Sequence, residues 1–159
     1  VLVGLHLSAV RNKPSRGLAE LAEALLARPD LEGRPLLIVS DAAGEGAFVA
    51  EVAMRDRRPN RVVERGYKVL TSYVKLGKVM ESRFDTAQEM MQSLGDDPRQ
   101  ILIFDPASVR DVHGRLTKEM LELQPPRWRE VLTTEQAAEE HLATTKLIGA
   151  YVWAPVLGQ

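Results

Sequence analysis

The chain has 159 residues, no cysteine and a net charge of -1. That length is about one domain and is enough to bury a core without staples. The missing cysteine excludes disulfides and thiolate metal sites and leaves the compartment open. The near-neutral charge gives no electrostatic case for nucleic acid as a partner.

The first stretch, VLVGLHL, is mostly apolar and starts at Val1. It reads either as a first strand or trimmed remnant, or as the tail of a membrane segment. No run reaches the roughly 18 apolar residues a membrane span needs. Ala9 to Pro14 is polar and reads as a linker, so residues 1–14 stand apart from a single α/β domain over 15–159. Ser15 is placed to cap a helix to about Arg28, with Leu18, Leu21, Leu25 and Leu26 on one stripe.

Pro35 to Arg58 organises the rest. Leu36 to Val39 is a short apolar run, Ser40 to Gly46 is small and glycine-bearing, and Phe48, Val49, Val52 and Ala53 recur at helical spacing. This is a buried strand, a turn and a helix. Arg61 to Leu70 predicts a second strand, bent at Gly66. Thr71 to Arg83 predicts a loop with a short strand near Lys78 to Met80. Thr86-Ala87-Gln88-Glu89 is a capping box, opening a helix that buries Met90, Met91 and Leu94.

Gln100 to Phe104 is a second continuous apolar run and predicts another central strand. Ser108 to Asp111 predicts the cap of a helix carrying Val109, Val112, Leu116 and Met120, weakened by Gly114. Trp128 to Leu132 predicts a short strand, Thr133 to Thr145 a capped helix, and Leu147 to Val156 a last strand. Pro155 sets that strand at an edge or near its end. The alternation predicts an α/β fold, a Rossmann-like three-layer α/β/α arrangement with a mostly parallel sheet of about five strands.

Ligands in such sheets bind beyond the carboxyl ends of strands. The candidate ligand-binding residues are therefore Ser40, Asp41, Gly44, Glu45 and Gly46 after the first run, and Asp105 after the second. The match to a dinucleotide fingerprint is poor. The third glycine position is Val49, and Asp41 and Glu45 repel a phosphate that the helix N-terminus would attract. The structural alternative makes Asp41 and Asp105 helix caps. If their strands are neighbours, the two carboxylates face one crevice and could hold a metal or share a proton.

His6, His113 and His141 are scattered and read as solvated or capping; the alternative for His113 is an acid/base group with Asp111 and Asp105. Arg55, Arg57, Arg58, Arg61 and Arg65 read as a surface partly paired with Asp56 and Glu64. Trp128 and Trp153 read as packing residues, with sugar stacking as the alternative. No catalytic residue, metal set or cofactor is legible.

One longer pattern is more specific. RPNRVVERGYKVL, a gap, then SRFDTAQEMM, resembles the soluble C-terminal region of bacterial membrane glycosyltransferase-like proteins. These are related to the dolichyl-phosphate-mannose–protein mannosyltransferases and the aminoarabinose lipid A transferases. The matching positions are Arg65, Lys68, Val69, Leu70, Arg83, Phe84, Thr86 and Glu89; Gly66-Tyr67 and Tyr73 to Gly77 depart from the pattern. The resemblance implies a non-catalytic accessory domain on the periplasmic face of the inner membrane. Its partners would be the membrane-embedded part of the same protein and a glycan or lipid-linked sugar. It carries over no catalytic residue. The alternative is a small Rossmann-like enzyme that binds a nucleotide or phosphorylated metabolite at Ser40 to Gly46.

Overall fold

Leu36–Val39 and Ile101–Phe104 are buried at every position, as expected of strands covered on both faces. They form β1 and β5 of a five-stranded sheet in a computed structural model that describes residues 17–58, 61–74, 79–134 and 148–154. In chain order the elements are α1 (Leu18–Leu26), a 3-10 turn (Pro29–Leu31), β1, α2 (Ala42–Arg55), β2 (Val63–Arg65) and the single turn α3 (Gly66–Val69). There follow β3 (Thr71–Val74), β4 (Val79–Ser82), α4 (Ala87–Leu94), β5, a second 3-10 turn (Pro106–Arg110), α5 (Val112–Leu121), β6 (Trp128–Thr133) and β7 (Gly149–Trp153).

The sheet order is β2-β1-β5-β7-β6. β1 pairs in parallel with β2 and with β5, Leu36 opposite both Val63 and Ile101. β7 pairs antiparallel with β5 and with β6. Since β6 runs against β7, and β7 against β5, β6 runs with β5. The β5–α5–β6 crossover leaves a gap one strand wide, and β7 fills it in the opposite direction. The mostly parallel sheet expected from alternation therefore holds at the β2-β1-β5 end. β7 is the exception, and it lies inside the sheet, with β6 on the edge. Pro155, beyond the described residues, follows the strand's end.

Helices cover both faces. Leu36, Ile38, Ile101 and Ile103 pack with Leu21 and Leu25 of α1 and Phe48 and Val52 of α2. Leu37, Val39, Leu102 and Phe104 pack with Met90 and Leu94 of α4, Met120 of α5, and Trp128. Each such side chain contributes about 1.5–3 kcal/mol when fully buried, so the two runs anchor both halves of the core. Among the described residues no helix is long and apolar enough to cross a membrane.

Three expectations need correction. The strand expected over Arg61 to Leu70 stops at Arg65, because the Tyr67 N–H turns away to the Glu45 carboxylate at 3.2 Å. The short strand expected near Lys78 to Met80 is present as β4, but the stretch before it is not all loop: Thr71–Val74 pairs antiparallel with Val79–Ser82 in a hairpin. The helix expected from Ser108 is a 3-10 turn followed by α5 with Asp111 at its N-cap. Gly114 is required there whatever it costs α5 in helix propensity, since a Cβ would run into the Ser108 carbonyl. The Thr86 cap is present: Thr86 Oγ1 accepts the Glu89 N–H at 3.2 Å, and Glu89 Oε2 accepts from Asp85 N–H at 2.9 Å. The Ser15 cap and the helix expected to run to Thr145 from Thr133, which ends β6, fall on residues 15 and 135–145, outside the described residues.

Candidate functional site at the strand ends

The first polar residues after β1 and β5 lie side by side, because the two strands are neighbours. Ser40 is fully buried and its hydroxyl donates to Asp105 Oδ2 at 2.6 Å. Asp105 Oδ1 accepts the Ala107 N–H at 2.9 Å. Asp41 Oδ1 accepts the Gly44 N–H at 2.7 Å and caps α2. Both aspartates thus make the caps that one reading of the sequence gave them. The Ser40 to Gly46 turn is shorter than expected. α2 starts at Ala42, so Gly44, Glu45 and Gly46 are helical, and none has positive φ. A glycine-rich phosphate loop needs backbone N–H groups splayed around an anion, and this segment spends them on helix.

Glu45 is the residue around which the site is built. It is fully buried. Its carboxylate accepts the Tyr67 N–H at 3.2 and 3.3 Å, lies 3.3 Å from His113 Nε2 and faces Arg65 Nε at 3.4 Å. Its place in the first turn of α2 sets it near the positive end of the helix dipole. His113, also fully buried, reaches Ser40 O at 3.2 Å with the same Nε2. Two acceptors at one nitrogen assign the proton to Nε2, and Nδ1 has no hydrogen-bond partner among the described residues.

The Tyr67 ring tilts against the imidazole at 4.3 Å between centroids. Desolvation, helped by the hydrogen bond to Asp111 and by nearby carboxylates, pushes the Tyr67 hydroxyl up to about 12. The cluster closes over Gly66, where a Cβ would lie 2.9 Å from Glu45 Oε1 and 3.1 Å from Ile38 O. His113 is therefore buried and not solvated, its Nε2 shared between Glu45 and Ser40 O, and Glu45 points inward and away from the turn. The signal for His113 was available. His113, Gly114, Thr117 and Met120 are the buried residues of α5, so of the expected stripe Val109, Val112, Leu116 and Met120 only Met120 is fully buried and the others are half-buried.

Outside this cluster lies an open crevice of about 470 Å³, walled by Asp41, Pro106, Ala107, Val109, Arg110 and Asp111. It sits beyond the carboxyl ends of β1 and β5, where the chain leaves β1 toward β2 on one side and leaves β5 toward β6 on the other. Of the six candidate residues, Asp41 is on its wall; Ser40, Gly44, Glu45, Gly46 and Asp105 are not. Among the described residues no three acidic or histidine side chains are grouped to hold a metal.

Of the five clustered arginines four are paired and Arg57 is exposed, while Glu64, an expected partner, accepts from Gln100 instead. Arg55 meets Glu51, Arg58 meets Glu32, and Arg61 meets Asp56 in a nearly buried pair. Trp128 is buried, and Trp153 stands edge-on to it at 5.2 Å. The residues of the glycosyltransferase-like pattern mostly do structural work. Arg65 binds Glu45 and, at 3.2 Å, Ala42 O; Leu70 and Phe84 pack in the core; Arg83 Nε donates to Thr71 O at 2.7 Å; Thr86 and Glu89 cap α4. Comparisons with protein-family models, with curated proteins and with solved structures find no match to this chain.

Proposed function

We propose that this chain is a non-catalytic binding domain with a Rossmann-like three-layer α/β/α arrangement. In this reading it is an accessory part of a bacterial membrane glycosyltransferase-like protein, held on the periplasmic face and contacting a glycan, a lipid carrier or the membrane-embedded part. One observation carries the non-catalytic reading. At the position where sheets of this kind present reactive groups, Ser40, Glu45, Asp105 and His113 are buried and bonded to one another or to nearby backbone. A general acid or base must reach a substrate proton at hydrogen-bond distance, and these groups are spent on the fold. The glycosyltransferase association is supported by the Arg65 to Glu89 pattern, whose residues tie β2 to α2, brace the hairpin and cap α4.

A second reading keeps the crevice as a ligand site, because about 470 Å³ falls in the usual range for small-molecule pockets, roughly 300–1,000 Å³. Arg110 on its wall is exposed and could meet an anion. Calorimetric titration of the domain with ATP, NAD and UDP-sugars, with and without magnesium, separates the two. The accessory reading expects no heat of binding. Micromolar binding that is lost in Arg110→Glu would replace it with the nucleotide-binding enzyme.

A further inference from the structure

A second concavity, of about 250 Å³, lies at the other end of the molecule, between α4 and the Trp128–Trp153 corner of β6 and β7. Its floor is the indole of Trp153. That ring is fixed from three sides: Trp128 stands against it at 83°, the Arg127 guanidinium carbon lies 5.3 Å from the ring centroid, and its Cη2 and Cζ2 approach Gly95 so closely that a Cβ there would sit 2.9 and 3.0 Å away. Despite these contacts Trp153 stays partly exposed in the groove. An aromatic side chain held rigid and left partly open supplies apolar contact at low entropic cost.

The wall opposite is polar. Gln88, Gln92 and Asp96 recur every four residues along α4 and its C-terminal end, all exposed and all lining the groove. Among the described residues neither Asp96 nor Arg127 has an ion-pair partner. The set therefore offers guanidinium and amide donors, amide and carboxylate acceptors, and one charge of each sign. A phosphate or carboxylate attracted by Arg127 would be repelled by Asp96. An amine would meet the reverse. Adjacent hydroxyl groups suit both, since each can donate to Asp96 while accepting from Arg127 or a glutamine amide. The volume lies below the usual range for drug-sized ligands, so it suits a single ring.

We propose that this groove binds one neutral hexose ring of a glycan, its C–H face on the part of the Trp153 indole that the overlying Arg127 leaves open and its hydroxyls on Gln88, Gln92, Asp96 and Arg127. The inference rests on the binding-domain reading and gives it a ligand class and a place, distinct from the crevice at the strand ends.

The test is amide and indole N–H chemical-shift mapping of the labelled domain during titration with neutral mannose and glucose oligomers, with a hexuronic acid oligomer as the charged control. The expected result is saturable shifts at Trp153, Gly95, Gln88 and Gln92 with the neutral sugars, and weaker binding of the charged one. Trp153→Ala removes a packed ring and risks the fold, so Gln92→Ala is the deciding variant. Loss of one or two hydrogen bonds weakens sugar binding about three- to tenfold with the spectrum otherwise unchanged. Shifts at Asp41 and Ala107 instead would overturn the groove while leaving a sugar-binding domain. No shifts with any neutral sugar at millimolar concentration would overturn the groove outright, while the nucleotide titration above decides the other reading by itself.

Discussion

The two concavities spend their polar groups in opposite ways. Beyond β1 and β5, Ser40, Glu45, His113 and Asp105 are buried and bonded among themselves or to nearby backbone, with only His113 Nδ1 of that ring lacking a partner among the described residues, and the crevice above them is left with Asp41, Arg110 and Asp111. Along α4, Gln88, Gln92 and Asp96 face solvent beside a fixed indole. A buried polar group must find its partners inside the protein, because leaving it unpaired costs about 1–3 kcal/mol, more for a charge. An exposed group beside an apolar wall has water as its partner and can exchange it for a ligand. The difference makes the first region a joint and the second a surface for recognition.

The largest effect belongs to the joint. Glu45→Ala leaves the Tyr67 N–H without its acceptor and takes one of two partners from both His113 and Arg65, and should lower unfolding free energy by about 3 kcal/mol in chemical denaturation. An unchanged midpoint would remove the contrast between the regions. Tyr67 of the joint, together with Tyr151 of β7, should show in the alkaline limb of stability. The hydroxyls of Tyr67 and Tyr151 are both pushed up to about 12, chiefly by desolvation, while an unfolded tyrosine titrates near 10. Raised folded values mean that this stabilisation is complete below about pH 10 and is lost as pH rises toward about 12. Denaturation midpoints measured from pH 8 to 11.5 should fall, and Tyr67→Phe and Tyr151→Phe should each flatten part of the fall. Equal slopes in both variants and the parent would contradict it.

In the recognition region the effects shrink. Thr86→Ala removes the cap of α4, the helix that carries both glutamines, and should cost about 1 kcal/mol. Gln88→Ala, further along the same helix, should change stability by less than about 0.5 kcal/mol. A larger loss at Gln88 than at Thr86 would mean that the groove wall is structural too.

Much of the frame was legible in sequence because it rests on patterns with one physical meaning. Leu36 to Val39 and Ile101 to Phe104 are apolar at consecutive positions and too short for a helix, with Pro35 before the first and Asp105-Pro106 after the second, which together favour a strand buried on both faces. Thr86 with Glu89 and Asp41 before a helix are local hydrogen-bonding signatures, readable without knowing what packs nearby. The turn at Gly66 was harder to read, because the residue that ends β2 is Glu45, more than twenty positions earlier. The direction of β7 depends on a gap that β5 and β6 leave, which no window of β7 itself records. The site was legible as a place and not as a cluster. Asp41 and Asp105 follow apolar runs, so their position at strand ends could be inferred. His113 could not be joined to Glu45 from spacing, since they meet only when α5 crosses behind β1.

The central claim is that Glu45 and His113 are partners that hold the fold. The most direct test is a double-mutant cycle in chemical denaturation with Glu45→Ala, His113→Ala and the pair. The account predicts that each single variant is destabilised and that the two losses fail to add, with a coupling of more than about 1 kcal/mol. Single variants as stable as the parent or more so, with additive effects, would contradict it and mark these residues as kept for a function at the expense of stability.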